Sequence, residues 1–283
     1  MTLTLDVITL AILSMFATGI SDFFYKRARN KGAHPAFFLA FQSIFFNMTN
    51  FVFILFFGSL EISLLTILYG FICGSLAFFS AYLFLKSLSE GGASVNVPIF
   101  RLSFIVTAVL AIFFLQETTT FGKIIAISLA AFSIISLSKS LHVETTSILG
   151  VIQLIFATFL YGLFGFVYKL AMQAGATPLG ILFIQGISFI TYAFIISYQK
   201  GLIKKSRVVM IHAPICGILL SASFLLLLMS LKFGEVSISF SIVQLSFVVT
   251  SILAIIFWKE KINILNLLGI LSAFIAVLIF AYL

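Results

Sequence analysis

The stretch SLSEGGASVNVPIFRLSFIVTAVLAIFFLQE, residues 87–117, returns in altered form as SLKFGEVSISFSIVQLSFVVTSILAIIFWKE, residues 230–260. Each residue of the second stretch lies 143 positions after its counterpart. The same step, without a gap, aligns residues 19–46 with residues 162–189. Matched glycine, proline, glutamate and Tyr-Lys positions at one offset indicate an internal duplication, which chance matches in an apolar chain do not explain.

The composition indicates that this duplicated chain lies in a membrane. Of its 283 residues, 62% are hydrophobic and 8% are charged, whereas a soluble domain carries roughly a quarter charged residues. Apolar stretches of about 20 residues recur throughout, each long enough to cross a bilayer core as a helix, and they lack the alternation of membrane β-strands. We therefore predict an all-α membrane protein with ten transmembrane helices, at residues 5–25, 35–57, 63–86, 94–115, 120–138, 147–168, 178–198, 209–230, 236–258 and 263–282.

Each copy of the repeat contains five predicted spans. We assign the first repeat to residues 1–143 and the second to residues 144–283, together forming one integral membrane domain. Because five is an odd number, the second repeat enters the membrane from the opposite side. The halves then form an inverted repeat, related by a pseudo-two-fold axis in the membrane plane, and such duplication in a membrane chain is typical of transporters.

The loop charges alternate as ten spans require. Nine connections join the spans, and we call the side of the odd-numbered connections the basic face and the other side the opposite face. The basic face holds Lys26, Arg27, Arg29, Lys31, Lys86, Lys139, Lys200, Lys204, Lys205, Arg207, Lys259 and Lys261, and the opposite face holds Lys123, Lys169 and Lys232. By the positive-inside rule the basic face is cytoplasmic and both termini lie outside. This distribution accounts for the net charge of +8, so we predict no nucleic-acid partner.

The repeated motifs resemble a known family. They are Leu102-Ser103-Phe104, Thr107, Leu110-Ala111 and Glu117, with the copy Leu245-Ser246-Phe247, Thr250, Leu253-Ala254 and Glu260. With ten spans in two halves, this pattern is similar to the EamA-type members of the drug/metabolite transporter superfamily. The resemblance implies export or exchange of small solutes by alternating access, through a central cavity lined by the first, third and fourth helix of each half. It also implies cytoplasmic termini, opposite to the prediction from charge.

Asp22 and Arg101 lie well inside predicted helices, where charge is costly and points to function. Asp22 has Gly165 as its repeat counterpart, and Arg101 has Gln244. Arg101 is suited to bind a carboxylate or phosphate, because guanidinium is always charged and planar; alternatively, an ion pair with Asp22 only holds two helices together. Asp22 is a candidate proton-coupling group, or alternatively a charge near the membrane interface.

Further candidates surround these charges. Pro98 removes a backbone donor and predicts a helix break in the fourth span, near Asn96 and Ser103. We place Ser239 and Gln244 of the ninth span, and Tyr82 and Tyr161, in the same substrate-binding set. Close packing of helices by small residues is the alternative role for the serines.

The predicted function is secondary transport of small metabolites, with amino acids and other anionic or zwitterionic solutes as the favoured class. A flippase for a lipid-linked anionic carrier is the alternative. From another class, a membrane enzyme is disfavoured because acidic and histidine clusters are missing, and a primary pump because a phosphate-binding loop is missing. We predict no metal and no cofactor. The expected partners are a small-molecule substrate, proton-coupled through Asp22, and the lipid bilayer, in a monomer or homodimer of the cell membrane.

Overall fold

The structure, a computed structural model, describes residues 2–57, 61–90, 93–138, 147–199, 206–258 and 264–283. They form the helices α1 (Thr2–Asn30), α2 (Pro35–Phe57), α3 (Leu64–Glu90), α4 (Ala93–Arg101), α5 (Ser103–Phe114), α6 (Phe121–Ser138), α7 (Ile148–Gln173), α8 (Pro178–Gln199), α9 (Arg207–Phe233), α10 (Val236–Gln244), α11 (Ser246–Trp258) and α12 (Ile264–Tyr282). Over these residues, nine apolar segments are long enough to cross a membrane, and a tenth, Phe121–Leu137, is shorter. The chain is a multi-pass membrane protein, and the ten predicted spans are confirmed.

The fourth and ninth spans each consist of two helices, whereas the sequence predicts a helix break in the fourth span alone, at Pro98. Leu102 separates α4 from α5, and Leu245 separates α10 from α11. The two interruptions are repeat counterparts, so the duplication extends to the position of the break. Helix α1 also continues through its basic end to Asn30, because long basic side chains can reach the aqueous interface while the backbone stays helical.

The turn after the first span of each half is also duplicated. Gly32 and Gly175 have φ angles of 82° and 81°, a conformation that glycine adopts without a steric penalty. Pro35 and Pro178 then begin α2 and α8, where a missing backbone donor costs nothing. These constraints explain why glycine and proline match in the sequence repeat.

The two halves interlock rather than lying side by side. Helix α1 of the first half contacts α9 and α11 of the second, and α7 of the second half contacts α3 and α5 of the first. At the α1–α11 and α5–α7 crossings, a Cβ added to Gly19 or Gly162 would lie 2.5 Å from the Cβ of a valine in the facing helix. Thr250 Oγ1 donates to the Gly19 carbonyl at 2.9 Å, and Thr107 Oγ1 to the Gly162 carbonyl at 2.7 Å. Both crossings therefore place a broken span against the first span of the other half.

Candidate functional site

The ends of α4 and α10 meet on the pseudo-two-fold axis. Arg101, the last residue of α4, donates from Nη1 to Oε1 of Gln244, the last residue of α10, at 3.2 Å. These residues are repeat counterparts, so their contact lies where the two halves face each other. From Nη2, Arg101 also donates to Oδ2 of Asp22 in α1. The structure therefore joins Asp22, Arg101 and Gln244 into one polar centre between the halves.

The helix breaks position the residues of this centre. The backbone N–H of Leu102 donates to Ile99 O at 3.1 Å, and that of Leu245 to Ile242 O at 3.0 Å, so both helices end in a tightened turn. Pro98 lies inside α4, one turn before the break. Its counterpart in α10 is Ser241, so the same break forms in the second half without proline.

Both charged side chains are largely shielded from solvent. The exposed fraction is 13% for the Arg101 side chain and 29% for the Asp22 side chain. A lower local dielectric strengthens the attraction between the two charges and raises the cost of leaving either one unpaired. Arg101 Nε is buried and has no hydrogen-bond partner among the residues that the structure describes. One donor of the guanidinium is thus unused within the described residues.

Two further unused hydroxyl groups lie next to the breaks. Ser103 and Ser246, repeat counterparts that begin α5 and α11, are fully buried. Their Oγ atoms have no hydrogen-bond partner within the described parts of the chain. Buried polar groups in proteins are nearly always paired, so two unpaired hydroxyls at matched positions are unusual.

An aromatic wall stands beside the polar centre. The Tyr161 ring lies 5.0 Å from Phe100, 5.4 Å from Phe164 and 5.8 Å from Phe240, between ring centroids. Phe100 directly precedes Arg101 in the chain, so the Tyr161 ring packs beside the end of α4. Sequence reasoning selected Tyr161 but missed Phe100 and Phe240, because phenylalanine is abundant throughout the chain.

The second half has no acid in the position corresponding to Asp22. That position is Gly165, and a Cβ there would lie 2.9 Å from the Phe240 ring and 2.9 Å from Thr107 Oγ1. The ring therefore occupies the space that a carboxylate would need. The scaffold is symmetric, whereas the charged pair belongs to the first half alone.

Two of the predicted binding residues, Asn96 and Ser239, form hydrogen bonds within their own half. Asn96 Nδ2 donates to Ser87 O at 2.9 Å, and Ser239 Oγ forms a hydrogen bond with Ser230 Oγ at 2.8 Å. Ser87 and Ser230 are repeat counterparts, as are Asn96 and Ser239. These matched bonds tie the start of each broken span to the end of the preceding helix, although Asn96 Oδ1 is buried without a partner within the described residues.

The remaining predicted residue, Tyr82, faces a different space. It lines a cavity of about 340 Å³, open on one side, between α3 and α7. The other lining residues include Phe79 and Leu83 of α3 and Phe156 and Leu160 of α7. The cavity is thus apolar, and Arg101 does not line it.

Sequence reasoning missed one buried ion pair, between Lys123 of α6 and Glu235, which precedes α10. Their repeat counterparts are Asn266 and Gly92. The rule that selected Asp22 and Arg101, a charge present in one half only, would also have found this pair.

Possible metal ligands are sparse in this chain. Among the residues described, no three His, Cys, Asp or Glu side chains form a group able to hold a metal ion. Cys73 and Cys216, which are repeat counterparts, are buried free thiols. The centre offers charge and hydrogen bonds for recognition of a solute.

Comparisons with known proteins agree with this architecture. The model of the EamA-like transporter family matches the chain twice, over residues 6–139 and 148–282. No curated protein matches the sequence. Among 29 matching chains of solved structures, one crystal structure is similar with a TM-score of 0.79 over 95% of both chains, at 11% sequence identity. At that identity the likeness supports the fold alone.

Proposed function

The chain belongs to the EamA-like transporter family and is a membrane transporter of the drug/metabolite type; from this premise we propose that it moves small anionic or zwitterionic metabolites, such as amino acids, by alternating access. One observation carries the proposal: Arg101, the charged partner of Asp22, ends a broken helix on the axis between the halves. Broken helices near the midplane form the substrate sites of many inverted-repeat transporters.

Arg101 is proposed to bind the anionic group of the solute. Its guanidinium forms charge-assisted hydrogen bonds to carboxylates in a fixed planar geometry, and its Nε lacks a partner among the described residues. Ser103, Ser246 and the Tyr161 hydroxyl are the nearby groups that would complete recognition of the polar end. The aromatic wall around Tyr161 would contact the apolar part.

Asp22 is proposed to couple transport to protons. The solute can take Arg101 only if Asp22 releases it, and an ionised Asp22 would then remain unpaired in a shielded environment, which is costly. A proton on Asp22 removes that cost. One monovalent anion and one proton together leave the centre neutral, so the proposed exchange of partners is electroneutral.

Reconstituted protein tests the role of Arg101. We expect Arg101→Ala to abolish uptake of the solute into proteoliposomes, whereas Lys232→Ala, which removes an exposed lysine at the end of α9, should transport normally. A thermal-shift screen against metabolites identifies the solute first, because a ligand that binds the folded state raises its stability. Wild-type uptake by Arg101→Ala would refute the proposed site.

A flippase for a lipid-linked anion is the second candidate. The apolar cavity between α3 and α7 favours it, because a lateral opening would let an acyl chain remain in the bilayer. Leu160 lines this cavity. The next residue, Tyr161, contacts Phe100, which directly precedes Arg101, so the cavity lies close to the polar centre along the chain. Transfer of a labelled anionic lipid between leaflets, without transport of water-soluble anions, would favour this candidate.

We propose that the basic face is cytoplasmic and that both termini lie outside, although the family resemblance implies the reverse. Two of the three lysines counted on the opposite face make internal contacts. Lys123 pairs with Glu235, and Lys169 Nζ donates to Leu231 O at 2.8 Å and Gly234 O at 2.6 Å. These contacts give Lys123 and Lys169 a structural reason to lie on the opposite face. When these two lysines are set aside, the excess of basic residues on the basic face is larger than the simple count shows.

A further inference from the structure

Helix α10 is held at both of its ends by the first half. At its start, the Glu117 carboxylate accepts hydrogen bonds from the backbone N–H groups of Val236 at 2.7 Å and Ser237 at 3.1 Å. At its end, Gln244 accepts from Arg101 in the polar centre. Nine helical residues span about 13 Å, at about 1.5 Å per residue. The helix thus connects the opposite face of the membrane directly to the centre.

An ion pair reinforces the attachment at the start of α10. Lys123 Nζ pairs with Glu235 Oε2, and Thr118 Oγ1 donates to Glu235 Oε1 at 3.0 Å. The Lys123 side chain is 2% exposed. Lys123 and Thr118 belong to the first half and Glu235 to the second, so these contacts join the two halves at the opposite face.

The first half does not reproduce this ion pair. The position corresponding to Glu235 is Gly92, and that corresponding to Lys123 is Asn266. Burial differs in the same sense: every residue of α10 except Ile238 is buried, whereas Val97, Ile99 and Arg101 of α4 are only partly buried. The structure is therefore packed more closely around α10 than around α4, which begins at the basic face.

We infer that the Lys123–Glu235 pair is a gate that closes the opposite face, and that α10 connects this gate to the solute site. The inference rests on the proposed alternating access. A solute anion that takes Arg101 removes the contact with Gln244, and the end of α10 then loses its hydrogen bond to the first half. Rotation about the break at Leu245 can separate Glu235 from Lys123, and both charges become hydrated as the opposite face opens.

A cysteine reporter tests the gate without measuring transport. In a Cys73→Ala/Cys216→Ala background, Ser246→Cys places one thiol at the break after α10; because Ser246 is fully buried, this thiol reacts only while one face of the protein is open. Sealed vesicles are prepared with the protein in each of the two orientations. A membrane-impermeant charged thiol reagent then reaches one face of the protein at a time. With the gate intact, we expect labelling to be faster from the basic face. Lys123→Gln should increase labelling from the opposite face about tenfold, the equilibrium shift that about 1.4 kcal/mol produces.

Two further variants make the result decisive. Lys232→Gln removes the same charge from the same face without touching the pair, and it should label like the parent protein. The exchange Lys123→Glu/Glu235→Lys should restore closure if the ion pair is responsible. Three results would each overturn the gate. They are labelling of Lys123→Gln at the parental rate, equal increases in Lys123→Gln and Lys232→Gln, and an exchange variant that does not restore closure. Because the readout is access, these outcomes are independent of the transport assay on Arg101→Ala.

Discussion

Neutralising one charge of the Asp22–Arg101 pair should cost more stability than neutralising both. Arg101→Gln copies the residue of the second half, Gln244, into the first and leaves Asp22 without its guanidinium partner. Asp22→Asn leaves Arg101 charged with only Gln244 as a partner. The double variant Asp22→Asn/Arg101→Gln carries no charge at the centre and can form amide–amide hydrogen bonds.

The magnitude follows from the burial of the two side chains. Removing one member of a fully buried pair costs about 3–5 kcal/mol. The Asp22 side chain is 29% exposed, so the cost should fall below that range, and we expect about 2–3 kcal/mol for each single variant. At about 2–4 °C per kcal/mol for a chain of this size, Tm should fall by roughly 5–10 °C. The double variant should stay within about 1 kcal/mol, or ~3 °C, of the parent.

Thermal unfolding in detergent measures these differences. Cys73 and Cys216 are fully buried, so a dye that fluoresces on reaction with thiols reports their exposure during unfolding. The double-mutant cycle then gives the coupling energy between the two charges. A double variant that loses as much stability as the two single variants combined would show that the side chains act independently, and the paired centre would be rejected.

Three other outcomes are expected. Asp22→Asn should abolish accumulation driven by a proton gradient while solute exchange continues, and an unchanged pH dependence of transport would contradict coupling at Asp22. Gly162→Ala should destabilise the protein by about 1–3 kcal/mol through overpacking at a helix crossing. Gly122→Ala is the control and should be tolerated, because its Cβ would meet the flexible end of Leu283 at 3.1 Å. Equal Tm values for the two variants would refute the close approach at Gly162. Green fluorescent protein fused after Leu283 should not fluoresce if the termini lie outside, and a fluorescent fusion would reverse the proposed orientation.

The fold could be read from the sequence because two simple counts determine it. One offset of 143 residues aligns both halves, and an odd number of spans in each half requires inversion. The interruptions at Leu102 and Leu245 could not be read in the same way. Neither residue is glycine or proline, and the second half breaks with Ser241 in the place of Pro98. Proline alone therefore does not account for both breaks.

The polar centre was partly readable. Unmatched charges at Asp22 and Arg101 identified the two residues that meet in the structure. The contact with Gln244 was not predictable, since it depends on where the pseudo-two-fold axis passes. Asn96 and Ser239 are candidates because they differ between the halves. Each nevertheless forms a hydrogen bond with the corresponding serine of its own half, Ser87 or Ser230. A difference between repeats can therefore leave the hydrogen-bonding pattern of the scaffold unchanged.

The hydrogen bond between Arg101 and Gln244 has a consequence for the ancestry of the chain. In a homodimer of five-span subunits, the two copies of this position would be the same residue, and an arginine would face its own like charge across the axis. Such a dimer can carry arginine there only at the cost of that repulsion. Fusion of two genes removes the constraint, because each copy can then change alone. Arginine opposite glutamine on the axis is thus a pairing that only unequal subunits, or one continuous chain, can hold.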